Sequence, residues 1–286
     1  MRVTALLLAC CLMAGSTARA QTPVPNPPPH FNAVKIVLVG DSTTAVQGGW
    51  GPSFCAKHVT SFAACINLAR GGRSSGNYRT EGSWALALNE IKAGGFNDTY
   101  VLVQFGHNDQ PGKPGRSTEL ATEFPANLKA YVDEIRAAGG KPVLVTPLTR
   151  RQFKDGKLID DLVPWADAVR AVAAETGTPL VDLNARSAQA AQAMGPLKAA
   201  AWAEAPPSPE LAKALAGGTT VGVKFFEPPI PGASAVPMDP PGAAPANPSK
   251  FDYTHLGPEG AAACSKIIAE ELAKAVPTLA RNLVLP

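Results

Sequence analysis

A serine that ends an apolar run is the first residue here with chemistry to offer. Gly40-Asp41-Ser42 follows V-K-I-V-L-V at 34–39. A short β-branched run broken by glycine reads as a buried strand, so Ser42 is expected at a strand end, free to act as a nucleophile. Asp252 and His255 form a D-x-x-H just before Gly257-Pro258-Glu259. A histidine base needs a carboxylate to fix its tautomer and to stabilise its charged form. The three-residue spacing lets Asp252 reach the ring nitrogen opposite the one facing Ser42. His30 falls in an N-terminal tail and His58 in a helix, which leaves His107 and His255 as bases near strand ends. Asn108 and the backbone at Gly71-Gly72 are candidate donors. A side-chain amide after one strand and a glycine N–H after its neighbour can converge with the serine's own N–H on a developing oxyanion. Nucleophile, base, orienter and oxyanion donors are together the parts of an acyl-transfer site. Each alone has a plainer reading: G-D-S is a common turn, D-x-x-H a helix entry, Asn108 a turn former and Gly71-Gly72 pliant backbone. Asp41 is expected to hold the serine's turn and Asp252 to orient His255.

Positioning these groups falls to alternating strands and helices. Strands are expected at 34–39, 65–69, 100–105, 142–146 and 180–183. Helices are expected at 51–59, 84–93, 124–138, 162–176 and 259–276, with a helix-like, alanine-rich stretch at 185–205. Gly94-Gly95 and Gly139-Gly140 read as helix stops. The strands are apolar throughout rather than alternating, as in a parallel sheet covered on both faces. Ligands of such folds sit at the carboxyl ends of the strands. Asp41-Ser42, Gly72-Arg73-Ser74 and His107-Asn108-Asp109 all fall there.

Residues 1–20 read as a secretory signal, with Arg2, a short apolar stretch and Ala18-Arg19-Ala20 before Gln21. The protein is therefore expected to be secreted or periplasmic, with a lipoprotein retaining Cys10 as the alternative. Residues 21–33 form a proline-rich lead-in. A single domain of 34–286 follows, interrupted by a proline-rich excursion at about 206–250. Eight prolines fall between Glu227 and Pro248. That segment is either a surface loop without a role or a wall of a substrate groove. The chain has 286 residues, 45% hydrophobic and 17% charged, an ordinary profile for one sizeable α/β domain. Removing 1–20 takes away Arg2 and Arg19 and no acid, which leaves a balance of +1. Neither a nucleic-acid footprint nor a transmembrane anchor is expected, and the expected assembly is a monomer. Cys55 and Cys65 are spaced to staple a helix to the next strand, or both stay free thiols with Cys264. No C-x-x-C occurs after residue 20, so zinc is not expected.

Four blocks recur in order: G-D-S at 40–42, N-L-A-R-G-G-R-S at 67–74, F-G-H-N-D at 105–109 and D-Y-T-H at 252–255. In this the chain resembles the SGNH (GDSL-like) hydrolases. The spacers R-S-S-G-N-Y-R-T-E-G-S-W at 73–84 and P-V-L-V-T-P-L-T-R-R-Q-F at 142–153 look like its rhamnogalacturonan acetylesterase branch. The resemblance implies a flavodoxin-like three-layer α/β/α sandwich of about five parallel strands. It implies a Ser42-His255-Asp252 triad and an oxyanion hole from Ser42, Gly72 and Asn108, with no metal and no cofactor. The implied substrate is an acetylated plant cell-wall polysaccharide such as pectin. Other esters, of acetylxylan or of lipids, are alternatives. Arg73, Arg79, Arg150 and Arg151, read as exposed, and His107 are candidate substrate contacts, since arginine suits bidentate contact with uronate carboxylates. Two other classes are alternatives. A metallophosphoesterase would use His107, Asn108, Asp109, Asp252 and His255 as ligands, but an early D-x-H and further paired histidines are missing. A non-catalytic polysaccharide-binding module would not need all of these groups at once.

Overall fold

A computed structural model describes residues 31–221 and 251–285. The expected signal at 1–20, most of the lead-in and the proline-rich run 227–248 lie outside them. Five strands form the main sheet: β1 (Phe31–Gly40), β2 (Ala63–Asn67), β3 (Phe96–Gln104), β4 (Lys141–Val145) and β7 (Leu180–Val181). Their order is β2-β1-β3-β4-β7, and every neighbouring pair is parallel. Strands β5 (Phe153–Lys154) and β6 (Lys157–Leu158) make a separate antiparallel hairpin.

Period-two alternation sends the two faces of β1 into two cores. Ile36 and Leu38 pack with Trp50, Phe54 and Ile268, which belong to or adjoin α1 (Gly51–Lys57) and α8 (Pro258–Ala275). Val37 and Val39 pack with Trp84, Leu128, Tyr131 and Val169. These come from α3 (Ser83–Lys92), α4 (Glu123–Ala137) and α5 (Val163–Thr176), after the single turn α2 (Asn77–Thr80). Helices therefore cover both faces, as the unbroken apolar strands require. Helix α6 (Leu183–Ala199) packs beside α8, and α7 (Pro209–Ala216) follows a 3₁₀ turn at Ala200–Trp202. A disulfide joins Cys55 of α1 to Cys65 of β2, and Cys264 is free and buried. Of the two readings of these cysteines, the stapled one holds.

The chain passes from β1 to β2 on one side and then crosses to β3 on the other. The carboxyl ends of β1 and β3 thus flank a topological switch point, the place where open parallel sheets leave a crevice. Gly40 closes β1 tightly. A Cβ there would meet the Gln104 carbonyl at 2.7 Å, so only glycine lets the two strand ends come this close.

Several boundaries differ from the sequence expectation. β1 takes Phe31 to Ala33 from the lead-in, because the backbone at Phe31 pairs with that at Phe96 across a register shift. β2 ends at Asn67, whose side chain turns away to bond Thr44 O and Ala69 N. β7 stops at Val181 because Asp182 already caps α6, accepting from Ala185 N. The excursion expected at 206–250 contains α7, with Ser208 capping it and Pro209 at its first position.

Candidate active site

Ser42 leaves the end of β1 on a turn built by its neighbours. Asp41 Oδ1 accepts from Thr43 N at 2.8 Å and Thr43 Oγ1 at 2.7 Å. Asp41 O accepts from Thr44 N and Ala45 N. Buried Gln104, the last residue of β3, donates to Thr43 Oγ1 at 2.6 Å and accepts from Trp50 Nε1 at 2.6 Å. The turn that carries Ser42 is therefore held from both sides by hydrogen bonds to Asp41 Oδ1 and through Gln104.

His255 Nε2 lies 2.9 Å from Ser42 Oγ, and its Nδ1 lies 2.7 Å from Asp252 Oδ2. The other Asp252 oxygen accepts from Thr254 N and His255 N, both at 2.7 Å. Burial works to raise the Asp252 carboxyl, but the bonds from His255 and Thr254 outweigh it and hold it at about 2. The bond from Asp252 raises His255 above its ordinary value, against the effect of burial. Ser42, His255 and Asp252 thus stand in one hydrogen-bonded line, with a carboxylate that stays ionised and an imidazole made more basic.

The loop carrying Asp252 and His255 precedes α8 and is pinned from below. Arg151 is 1% exposed, and its guanidinium donates to the carbonyls of Asp252 (3.0 Å), Thr254 (3.1 Å) and His255 (2.8 Å). Leu256 N bonds Gly48 O at 2.9 Å, which ties the histidine's loop to the loop after Ser42.

The loop after β2 passes against the serine: a Cβ at Gly71 would lie 3.7 Å from that of Ser42. Gly72 adopts a φ of +77°, a conformation that favours glycine. Asn108, in the loop after β3, donates from Nδ2 to Arg73 O at 3.0 Å, so the two donor loops are bonded to each other. Asp109 anchors the same region by accepting from Ser75 N, Ser75 Oγ and Thr118 Oγ1. Burial pushes its carboxyl up to about 6.

Four of the five expected substrate contacts are placed elsewhere. Arg151 is interior, holding carbonyls that would otherwise lose their hydrogen bonds on burial. Arg150 is also buried, paired with Asp161 and bonded to Thr254 Oγ1. Arg79 pairs with Glu134 and lies over Tyr131, clamping α2 to α4. His107 is 2% exposed and faces Asp41, with Nδ1 3.5 Å from Oδ2. Burial lowers His107, and at Asp41 the opposing effect of burial is outweighed by the facing His107 and the bonds from Thr43, which lower its carboxyl. Arg73 remains partly exposed, paired with Glu81. The groups named as metal ligands do not converge: His107 faces Asp41, Asp109 faces Ser75, and Asp252 faces His255. Among the described residues no cluster of His, Cys, Asp or Glu is arranged to hold a metal ion.

The sequence reading missed Gln104, Trp50, Arg116 and Glu204. Gln104 carried a signal, a lone amide closing an apolar strand. Arg116, whose guanidinium lies 3.5 Å from the Cβ position of Gly72, and Glu204, beside His255, had none.

Residues 38–263 match the GDSL-like Lipase/Acylhydrolase family. A probable rhamnogalacturonan acetylesterase of Bacillus subtilis, YesY, is 36% identical over 159 residues, covering 53% of this chain and 71% of that protein. The rhamnogalacturonan acetylesterase RhgT of the same organism is 34% identical over 171 residues, covering 57% and 70%. The crystal structure of B. subtilis YxiM superimposes with a TM-score of 0.56 at 21% identity, covering 85% of this chain and 57% of that one, a likeness of fold.

Proposed function

The chain belongs to the GDSL-like lipase/acylhydrolase (SGNH hydrolase) family of carboxylic ester hydrolases, and we propose that it removes acetyl groups from an acidic plant cell-wall polysaccharide, acetylated rhamnogalacturonan above others. The observation that carries the reading is the unbroken line from Ser42 Oγ to His255 Nε2 and from His255 Nδ1 to Asp252. His255 Nε2 takes the Ser42 proton as Oγ attacks the acetyl carbon. Asp252 stabilises the imidazolium. The carbonyl oxygen, now anionic, meets the N–H groups of Ser42 and Gly72 and the Asn108 amide. Removal of one such donor costs roughly 10²–10³-fold in rate. His255 returns the proton to the departing sugar oxygen, and the C–O ester bond breaks. Water, deprotonated by His255, then attacks the acetyl-serine; the bond from Ser42 Oγ to the acyl carbon breaks as Oγ takes the proton back from His255, and acetate leaves.

Two observations support an acidic polymer. The sequence relatives YesY and RhgT are named a probable rhamnogalacturonan acetylesterase and a rhamnogalacturonan acetylesterase. The rim beside the oxyanion loop is basic, with Arg116 over Gly72 and making no ion pair to a described residue, and with Arg73 next to it. Residues 34–286 serve as one catalytic domain, residues 1–20 as an export signal, and the protein acts outside the cytoplasm as a monomer. Among the described residues no helix is long and apolar enough to cross a membrane.

The test is acetate release from acetylated rhamnogalacturonan, acetylxylan and a long-chain acyl ester. Wild type is expected to favour the first, and Ser42→Ala to retain less than a few per cent of that activity. Greater retention would remove Ser42 from the mechanism. A preference for either other ester would remove the substrate assignment.

A further inference from the structure

The base that takes the proton from Ser42 must later give it back. It does so from Nε2 to the departing oxygen, so the alcohol half of the ester has to lie along the Nε2 edge of His255. Cδ2 is one of the two ring carbons bonded to Nε2. A Cβ built on Gly48 would come within 3.2 Å of His255 Cδ2 and 3.1 Å of Glu204 Oε1. The ring edge and the carboxylate therefore face one small space.

That space opens into a cleft of about 350 Å³ lined by Val46, Gly48, Gly49, Glu204, Leu256 and Pro258, among others. The size is at the lower end for small-molecule sites. Its lining sets apolar Val46, Leu256 and Pro258 beside polar Gln47, Ser53 and Glu204, and Val46 is 71% exposed at its lip. No hydrogen bond or salt bridge is formed between Glu204 and another described residue. A carboxylate that bonds no described residue, beside the edge where the alcohol must sit, is an acceptor open to that alcohol. Ionised carboxylates accept and do not donate, and their hydrogen bonds from hydroxyls are stronger than neutral ones.

We propose that this cleft is the leaving-group subsite, that it takes a sugar ring through its free hydroxyls, and that Glu204 holds the ring by accepting hydrogen bonds from them. This rests on the esterase reading. It adds an orientation: a uronate carboxylate cannot face Glu204 without repulsion, so the acidic side of the polymer lies toward Arg73 and Arg116, across the site.

The experiment compares kcat/KM for two acetyl esters in wild type, Glu204→Ala and Glu204→Gln. One is a mono-O-acetylated methyl glycoside with its other hydroxyls free. The other is p-nitrophenyl acetate, whose leaving group has no hydroxyl. In Glu204→Ala the loss on the glycoside is expected to exceed the loss on the aryl ester by roughly ten- to hundredfold, as for a missing hydrogen bond to a charged group. The excess should fall mainly in KM, and Glu204→Gln, which still accepts through its amide oxygen, should recover part of it. Equal losses on both esters would overturn the subsite, because Glu204 would then act only through His255. A wild type that turns over the aryl ester and not the glycoside would overturn it too. Both outcomes leave the esterase reading standing. That reading falls only if Ser42→Ala keeps its turnover.

Discussion

Two aspartates stand close to Ser42 and His255, and their environments suit them to different work. Asp252 bonds the ring it orients, so its exchange for asparagine removes the charge that stabilises the imidazolium and disturbs the tautomer. Asp252→Asn should lower kcat on the order of 10³–10⁴-fold. Asp41 instead uses Oδ1 to hold Thr43, a task an amide oxygen can perform. Asp41→Asn should therefore cost no more than roughly tenfold, and equal damage from the two changes would refute this division of labour. The pH profile gives a second readout. His255 must be neutral to act as a base, and the Asp252 bond raises it above 6.5. Activity should thus fail on the acid side at a pH above 6.5, and Asp252→Asn should move that limb to lower pH. The linked stability has two limits. The part owed to His255 is complete below 6.5 and fades as pH rises through its raised value. The part owed to Asp252 is present above 3.8 and fades as pH falls toward about 2.

At the scale of elements, the strand ends explain why so much was legible. An apolar run that stops at glycine and polar residues marks both a strand and its end, and Ser42 and Asn108 follow the ends of the paired strands β1 and β3. The disulfide staple was legible as one of two readings. The short hairpin β5–β6 had its own signal in Asp155-Gly156, a dipeptide suited to a tight turn, and α7 had Ser208-Pro209. Both are short and lie among polar residues and prolines, which mask so brief a signal. Arg151 was not legible. Its partners lie 101 to 104 residues away, and nothing local separates an arginine that braces a loop from one that meets solvent. The consequence is testable. Replacing Arg151 by Met should leave buried carbonyls unpaired and cost about 2–5 kcal/mol, read as a shift of the urea midpoint. Under conditions where the variant stays folded, kcat should fall more than KM rises, because the D-x-x-H loop loses its support. Lys should rescue poorly, since one ammonium cannot reproduce the guanidinium's fork across three carbonyls. A variant of full stability and full kcat would show that the loop holds itself.

For the molecule as a whole, the disulfide links stability to the compartment in which the chain works. Cys55 and Cys65 enclose a short loop that carries α1 back onto the edge strand β2. α1 begins just after Trp50, which holds Gln104 under the nucleophile's turn, so the staple fastens the outer end of the segment that positions Ser42. A loop of this size is worth about 2–3 kcal/mol by the chain-entropy estimate. That is a large share of the stability of an ordinary domain. The bond persists in an oxidising space and is lost in a reducing cytosol. Cys264 does not compete for it, being enclosed by the core, where burial pushes its thiol up to about 12. If the protein is exported and cleaved after Ala20, the isolated protein should begin at Gln21. Denatured without reductant, it should then titrate as one thiol, from Cys264, and as three after reduction. Replacing both Cys55 and Cys65 by Ser should lower the urea-derived stability by about 2–3 kcal/mol and leave kcat nearly unchanged well below the unfolding transition, because neither cysteine touches the site. Three thiols before reduction, in protein taken from its native compartment, would place the working enzyme in a reducing space and overturn the export assignment.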